Sequence, residues 1–383
     1  MANKFYTPDG FTDQLPGVCA FKRGLEARLR NLFLMNGYDE IETPGVEYFD
    51  VYKSFVAEEE LYKFTDGKGR LLCARYDGTI PVARYAAGRN DTLPMRLFYV
   101  ENMYRAGQIG GGKQSGFTQA GIELLGASGS KSDAEVLALA IKSALELGLT
   151  DLQVSIGQVQ FFKGLSRQLG LNDETIAKIK AAIANRDSVT IEKLDLSRED
   201  KDTLLMITES GGTYDTIDQM LPRVTDESAK EALGNIKEIL DIMERYGYLK
   251  YVSVDLGLIE SIDYYTGVVF KGYTYEVGFP VFGGGRYDDV SKTFGKDMAA
   301  VGFSISLTLA ITALMRQDKF TPAAGAKVIV GGDFETAIAT AEALRAEGTA
   351  AVLDTTGMTE DELNSYAEEK GIETVMYMNG GID

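Results

Sequence analysis

Four short stretches carry polar side chains in turns or at strand ends, where a small ligand can be held. They are ARYDGT (74–79), ENMYRAGQ with FTQAGIE (101–123), SIDYYTG (261–267) and FGGGRYDD (282–289). Gln119 and Glu123 are four residues apart on an expected strand, so both project from one face. Phe117, Gly121 and Leu125 share that face, which points to partial cover. Each stretch alone is a weak signal. A Gly-Gly-Gly run most often marks a turn with positive φ, and a tyrosine pair most often packs. The chain contains no histidine, so the commonest acid/base group at neutral pH and the commonest metal ligand are missing. Two distant cysteines, Cys19 and Cys73, do not make a zinc site. Chemistry therefore falls to carboxylates, Lys, Arg, Tyr or a bound ligand, and no metal or cofactor is expected.

Stretches so far apart need a sheet and helices to gather them. Residues 17–36 predict an amphipathic helix, with Leu25, Leu29, Leu32 and Phe33 at helical spacing and Asn36-Gly37 as its stop. Residues 38–44, 70–76 and 151–157 predict strands. Residues 95–107 and 116–126 alternate well enough to pair across a glycine-rich loop. Helices are expected over 79–88, capped by Asp77 or Thr79, and over 132–148. From about 160 to 248 the chain is charged, helical and poor in strand signals, as a helical insertion would be. Strands resume at 251–257 and 268–279, and a helix is expected over 300–314 after the glycine run 283–285. PAAGA (322–326) is a linker candidate. Beyond it, strand and helix signals alternate as in a small α/β unit.

The length suits two or three domains. A hydrophobic share of 45% and a charged share of 25% are ordinary for a globular protein. So few cysteines point to a reducing cytoplasm. No apolar run is long enough for a membrane span, and the N-terminus lacks the apolar stretch of a signal peptide. The net charge of −18 argues against a polynucleotide partner.

Taken in order, the stretches resemble the catalytic domain of class II aminoacyl-tRNA synthetases, and specifically of histidyl-tRNA synthetase. NGYDEIETPGVE (36–47) is similar to the first class II motif, a dimer-forming helix and strand. MRLFYVENMYRAGQ…FTQAGIELLG (95–126) is similar to the second, and FGGGRYDDV followed by AAVGFSISLTLAI to the third. YDGT and SIDYYTG resemble the two segments that make the family's amino-acid pocket specific for histidine. The resemblance implies an α+β fold. Its first domain, 1–320, is a synthetase-like antiparallel sheet with flanking helices and the helical insertion. A small C-terminal α/β domain, 325–383, resembles a truncated anticodon-binding domain.

The resemblance also implies a ligand set. An acid, a threonine and a glutamine bind the substrate ammonium in the family, and those positions hold Asp77, Thr79 and Gln119. A glutamate and a tyrosine bracket the imidazole, and Glu123 and Tyr265 fill those places beside Tyr264. Arg105 survives from the second motif and joins the set. Carboxylates suit an ammonium and an imidazole N–H through charge-assisted bonds. Asp for Glu at 77 shortens the reach by one methylene.

The nucleotide half departs from the family. The family's catalytic arginine falls on Glu260, the third motif's arginine on Leu309 and the acid before it on Thr308. Arg-x-Glu in the second motif becomes Arg105-Ala106-Gly107, and Lys113 stands where another arginine is usual. Adenylation needs fixed positive charge on the phosphates, so no catalytic residue is expected. The tail carries three basic residues, Lys327, Arg345 and Lys370, among many acids, a poor RNA surface. A synthetase-like domain with a kept amino-acid pocket and a lost ATP site resembles the regulatory-subunit family of ATP phosphoribosyltransferase. That likeness implies histidine as ligand, self-association as a dimer and a hetero-octamer with a short-form catalytic subunit. It also implies activation of that subunit and feedback inhibition at the first step of histidine biosynthesis. The rival readings are a divergent histidyl-tRNA synthetase and a synthetase-like paralogue serving another enzyme.

Overall fold

The computed structural model describes residues 6–107, 114–209, 211–259, 264–321 and 325–379. Helix α1 (Pro16–Met35) buries Leu25, Leu29, Leu32 and Phe33, the stripe that the spacing predicts. It ends at Gly37, whose φ of 78° is open to glycine without penalty. Strand β1 (Asp39–Glu40) follows. The strands β2 (Val46–Tyr48), β3 (Lys63–Thr65) and β4 (Leu71–Ala74) form a small antiparallel sheet of order β2-β4-β3, with helix α2 (Phe49–Tyr52) between the first two. Helix α3 (Thr79–Ala87) comes next, then the long strands β5 (Met95–Tyr104) and β6 (Gly116–Leu125), and helix α4 (Ser130–Glu146).

Strand β7 (Leu152–Gln158) leads into the helical segment. Its helices are α5 (Val159–Gln168), α6 (Asp173–Ala184), α7 (Ser188–Glu192), α8 (Arg198–Glu209), α9 (Tyr214–Met220) and α10 (Glu227–Arg245). Strands β8 (Val252–Val254), β9 (Val268–Thr274) and β10 (Phe282–Arg286), the short helix α11 (Val290–Thr293), strand β11 (Ala300–Ser306) and helix α12 (Leu307–Arg316) complete this part.

The main sheet runs β1-β5-β6-β11-β10-β9-β7-β8. Its six central strands are antiparallel, and the edge pairs β1–β5 and β7–β8 are parallel. One expectation changes here. The helix expected over 300–314 is a strand for its first half. Val301, Phe303 and Ile305 alternate with Gly302, Ser304 and Ser306, and pairing with both β6 and β10 outweighs any helical preference of the segment. The glycine run 283–285 is a central strand, as its likeness to the glycine-rich strand of the third motif implies, rather than the turn that such a run most often marks. Gly284 lies so close to Phe303 that a Cβ there would stand 2.6 Å from the phenylalanine's own Cβ. Bare backbone is what permits that approach.

The chain divides into two compact units, Met1–Asp13 with Gly24–Phe320, and Gln14–Arg23 with Thr321–Asp383. The second unit contains a parallel sheet of order β13-β12-β14, from β12 (Val328–Gly332), β13 (Ala351–Leu353) and β14 (Thr374–Met378). Helix α13 (Phe334–Ala346) packs on Val328 and Val330, while helix α14 (Glu360–Lys370) packs on Ile329. Successive residues of a strand face opposite ways, so the two helices cover opposite faces. Among the described residues, no helix is long and apolar enough to cross a membrane.

Candidate functional site

A cavity of about 320 Å3 lies over the central strands of the main sheet. Its floor is low because small residues line up across the strands. Cross-strand pairing aligns Gly121 of β6 with Ser304 of β11 and Gly283 of β10, and Gln119 with Ser306. The neighbouring row pairs Glu123 with Gly302 and Gly285. A Cβ on Gly285 would stand 2.9 Å from the Tyr265 ring, and one on Gly302 would run into the Glu123 carboxylate. These glycines make room for side chains that reach over the sheet.

Asp77, Thr79, Arg105, Gln119, Tyr264 and Tyr265 all line this cavity. Asp77 sits where β4 runs out toward α3 and accepts the Ile80 N–H at 3.2 Å, which fixes its rotamer. The Gln119 amide oxygen is buried and has no hydrogen-bond partner among the described residues. Such an orphan costs free energy unless a ligand donor fills it. Arg105 donates Nε–H to the Tyr76 carbonyl at 3.2 Å and lies over the Tyr76 and Phe117 rings, 4.5 and 5.1 Å from their centroids. It makes no ion pair among the described residues, so its charge stays available to the cavity. Tyr264 and Tyr265 touch each other at 4.9 Å between ring centroids, and Tyr264 meets Tyr287 edge-on at 6.2 Å.

Glu123 occupies a different place from the other six. It is fully buried behind the lining. Its Oε1 accepts the Thr79 hydroxyl at 2.8 Å and its Oε2 accepts the Tyr287 hydroxyl. Burial pushes its carboxyl up to about 8, opposed by the hydrogen bonds from Tyr287 and Thr79, with the neighbouring Asp77 charge adding to the rise. Burial thus favours its protonated form. Burial also pushes Asp77 up to about 6, held down by the Arg105 guanidinium and the Ile80 N–H. The phenols of Tyr99, Tyr264 and Tyr287 rise well above their ordinary value for the same reason and stay neutral.

Sequence reasoning assigned no role to Tyr99 or Tyr287, both of which line the cavity. Tyr99 pairs with Gly121, and its hydroxyl is buried. Alternation along β5 hints at its direction, but only the register with Gly121 shows that it faces the cavity. Phe282, Thr308 and Leu309 also line the cavity wall. Thr308 accepts the Thr118 N–H at 3.1 Å, and Ser306 caps α12 by accepting the Leu309 N–H at 3.2 Å. The side chain at 309 thus adds an apolar surface to that wall. Glu260 and Lys113 lie outside the described residues.

The family model for histidyl-tRNA synthetase matches residues 10–309. An ATP phosphoribosyltransferase regulatory subunit from Acetivibrio thermocellus is 40% identical over 381 residues, covering 96% of this chain and 91% of that one. The chain belongs to the ATP phosphoribosyltransferase regulatory subunit family. Another member, from Ruminiclostridium cellulolyticum, is 38% identical over 389 residues, covering 98% of this chain and 92% of its own. A crystal structure of a family member from Bacillus halodurans, described as an ATP phosphoribosyltransferase regulatory subunit/histidyl-tRNA synthetase, superposes with a TM-score of 0.89. It is 30% identical, and both chains are fully covered. The fold is also that of histidyl-tRNA synthetase from Nostoc, at a TM-score of 0.83 and 22% identity, with 98% of this chain and 92% of that chain covered. The family's sheet and its synthetase-like α+β architecture therefore agree with the fold that the motifs imply.

Proposed function

We propose that this chain is a non-catalytic regulatory subunit of ATP phosphoribosyltransferase, acting at the first step of histidine biosynthesis. In this reading the cavity binds L-histidine. Asp77, Thr79 and the orphaned Gln119 oxygen receive the ammonium, Arg105 faces the carboxylate, and Tyr264 and Tyr265 flank the imidazole. Glu123 holds Thr79 and Tyr287 in place from behind. Bound histidine biases the assembly with a short-form catalytic subunit, which the chain otherwise activates. Coupling between the two sites is reciprocal in free energy. A dimer of this chain and a hetero-octamer with the catalytic subunit complete the proposal.

One observation carries the reading. Asp77, Thr79 and the buried Gln119 amide oxygen line the cavity as acceptors for an ammonium, while Leu309, on which the family's third-motif arginine falls, lines it without supplying a charge. A phosphate chain needs positive charge there. Calorimetry should show histidine binding with no need for ATP, and ATP–pyrophosphate exchange should be absent. Added to the short-form catalytic subunit, the chain should raise turnover, and histidine should lower it. Pyrophosphate exchange by this chain would instead establish a divergent histidyl-tRNA synthetase.

A further inference from the structure

A second hollow, of about 260 Å3, lies on the helical segment between α5 and α6. Its floor is apolar, from Phe162, Leu171 and Ile176, and its rim is basic, from Lys163, Arg167 and Lys180. The charges around it are unevenly matched. Arg167 is held by Asp226 at 3.1 Å and by Ser228. Nearby Glu174 is held by Lys178 at 2.7 Å. Lys163 and Lys180 make no ion pair among the described residues, and both are exposed. The chain has 57 acidic residues against 39 basic ones, so a hollow rimmed by unpaired lysines runs against its average surface.

We infer that this hollow docks an acidic segment of the catalytic subunit. The inference rests on the regulatory-subunit reading above. A carboxylate sits between Lys163 and Lys180, and a neighbouring apolar side chain rests on Phe162, Leu171 and Ile176. Charge complementarity favours an acidic partner. The apolar floor favours a peptide over a bare inorganic anion, which would gain nothing from it and would meet only two uncommitted cations. The hollow is built from residues 162–180, away from every residue that lines the histidine cavity.

The test compares the full-length chain with the double variant Lys163→Glu/Lys180→Glu, and with Lys178→Glu as a control outside the hollow. Association with the short-form catalytic subunit is measured by analytical ultracentrifugation, and histidine binding by calorimetry on the same samples. The double variant should bind the catalytic subunit at least about tenfold more weakly, with histidine affinity unchanged. The control should bind as the unaltered chain does. Added salt should weaken binding of the unaltered chain more than that of the double variant, because screening acts on the charges removed. Equal association of the double variant, or equal weakening by Lys178→Glu, overturns the inference and leaves the regulatory reading intact. So does a loss of self-association alone, which would assign the hollow to a second copy. If the unaltered chain neither binds the catalytic subunit nor histidine, the regulatory reading fails and the inference falls with it.

Discussion

Glu123 shows how much one buried carboxyl can hold. Its oxygens orient Thr79 and Tyr287, and Gly302 leaves the space that it fills. In the folded state its carboxyl is raised from 4.5 to about 8, so the folded protein keeps a proton that the unfolded chain releases. Stability then falls as pH rises between those two values, because the unfolded state binds fewer protons there. Urea titrations from pH 5 to 9 should show a decline of a few kcal/mol. Glu123→Gln should remove most of it above about pH 6, where Asp77 no longer contributes. Asp77, raised to about 6, gives a separate effect on ligand binding. Its ionised form attracts an ammonium, so histidine affinity should rise as pH climbs from 5 to 7. Calorimetry on Asp77→Asn should find that rise gone and the affinity lower by about tenfold or more.

At the scale of elements, the sheet depends on where glycine stands. A Cβ on Gly302 would meet the Ile122 carbonyl oxygen at 2.6 Å as well as the Glu123 side chain. Neither neighbour can yield, since one is backbone in a paired strand and the other is fully buried. Gly302→Ala should cost about 3 kcal/mol, read as a lowered midpoint in urea. Gly234 is the contrast. It lies exposed inside α10, and a Cβ there meets nothing within 4 Å. Gly234→Ala should stabilise by up to about 1 kcal/mol through helix propensity and reduced chain entropy. A third device links elements. Arg286 at the end of β10 is buried and pairs with Asp133 of α4 at 2.7 Å, with Ser132 and the Ala127 carbonyl as further acceptors. Asp133→Ala would leave the buried guanidinium with Asp288, at 3.1 Å, as its remaining carboxylate. The expected loss is about 2–3 kcal/mol, measured by thermal or urea unfolding.

For the molecule as a whole, charge bears most directly on partners. With a net charge of −18, filter binding should detect no retention of transfer RNA at physiological salt. Charge also bears on the proposed loss of adenylation. Glu260→Arg alone should leave pyrophosphate exchange undetectable, since Leu309 still supplies no cation. Pyrophosphate exchange by that single variant would overturn the proposed inability to adenylate.

Much of this protein was legible in its order of residues. Periodicity of two and of 3.6 is a local property, so β5, β6, α1 and α4 follow from the chain itself. The grouping of Asp77, Thr79, Arg105, Gln119, Tyr264 and Tyr265 came from motif order, and these six residues line one cavity. Other features depend on partners distant in sequence. Residues 300–306 form a strand because β6 and β10 flank them, and the glycine run is a strand because its neighbours press close. Tyr99 and Tyr287 join the site through register, which no local pattern encodes. Glu123 stands behind the lining because the sheet buries it, and the same burial sets its proton affinity. The strongly periodic elements and the polar groups available for recognition follow from the order of residues, since both depend on neighbours along the chain. Which groups face the cavity and which favour a bound proton rests on the tertiary structure, since those depend on desolvation and cross-strand contact.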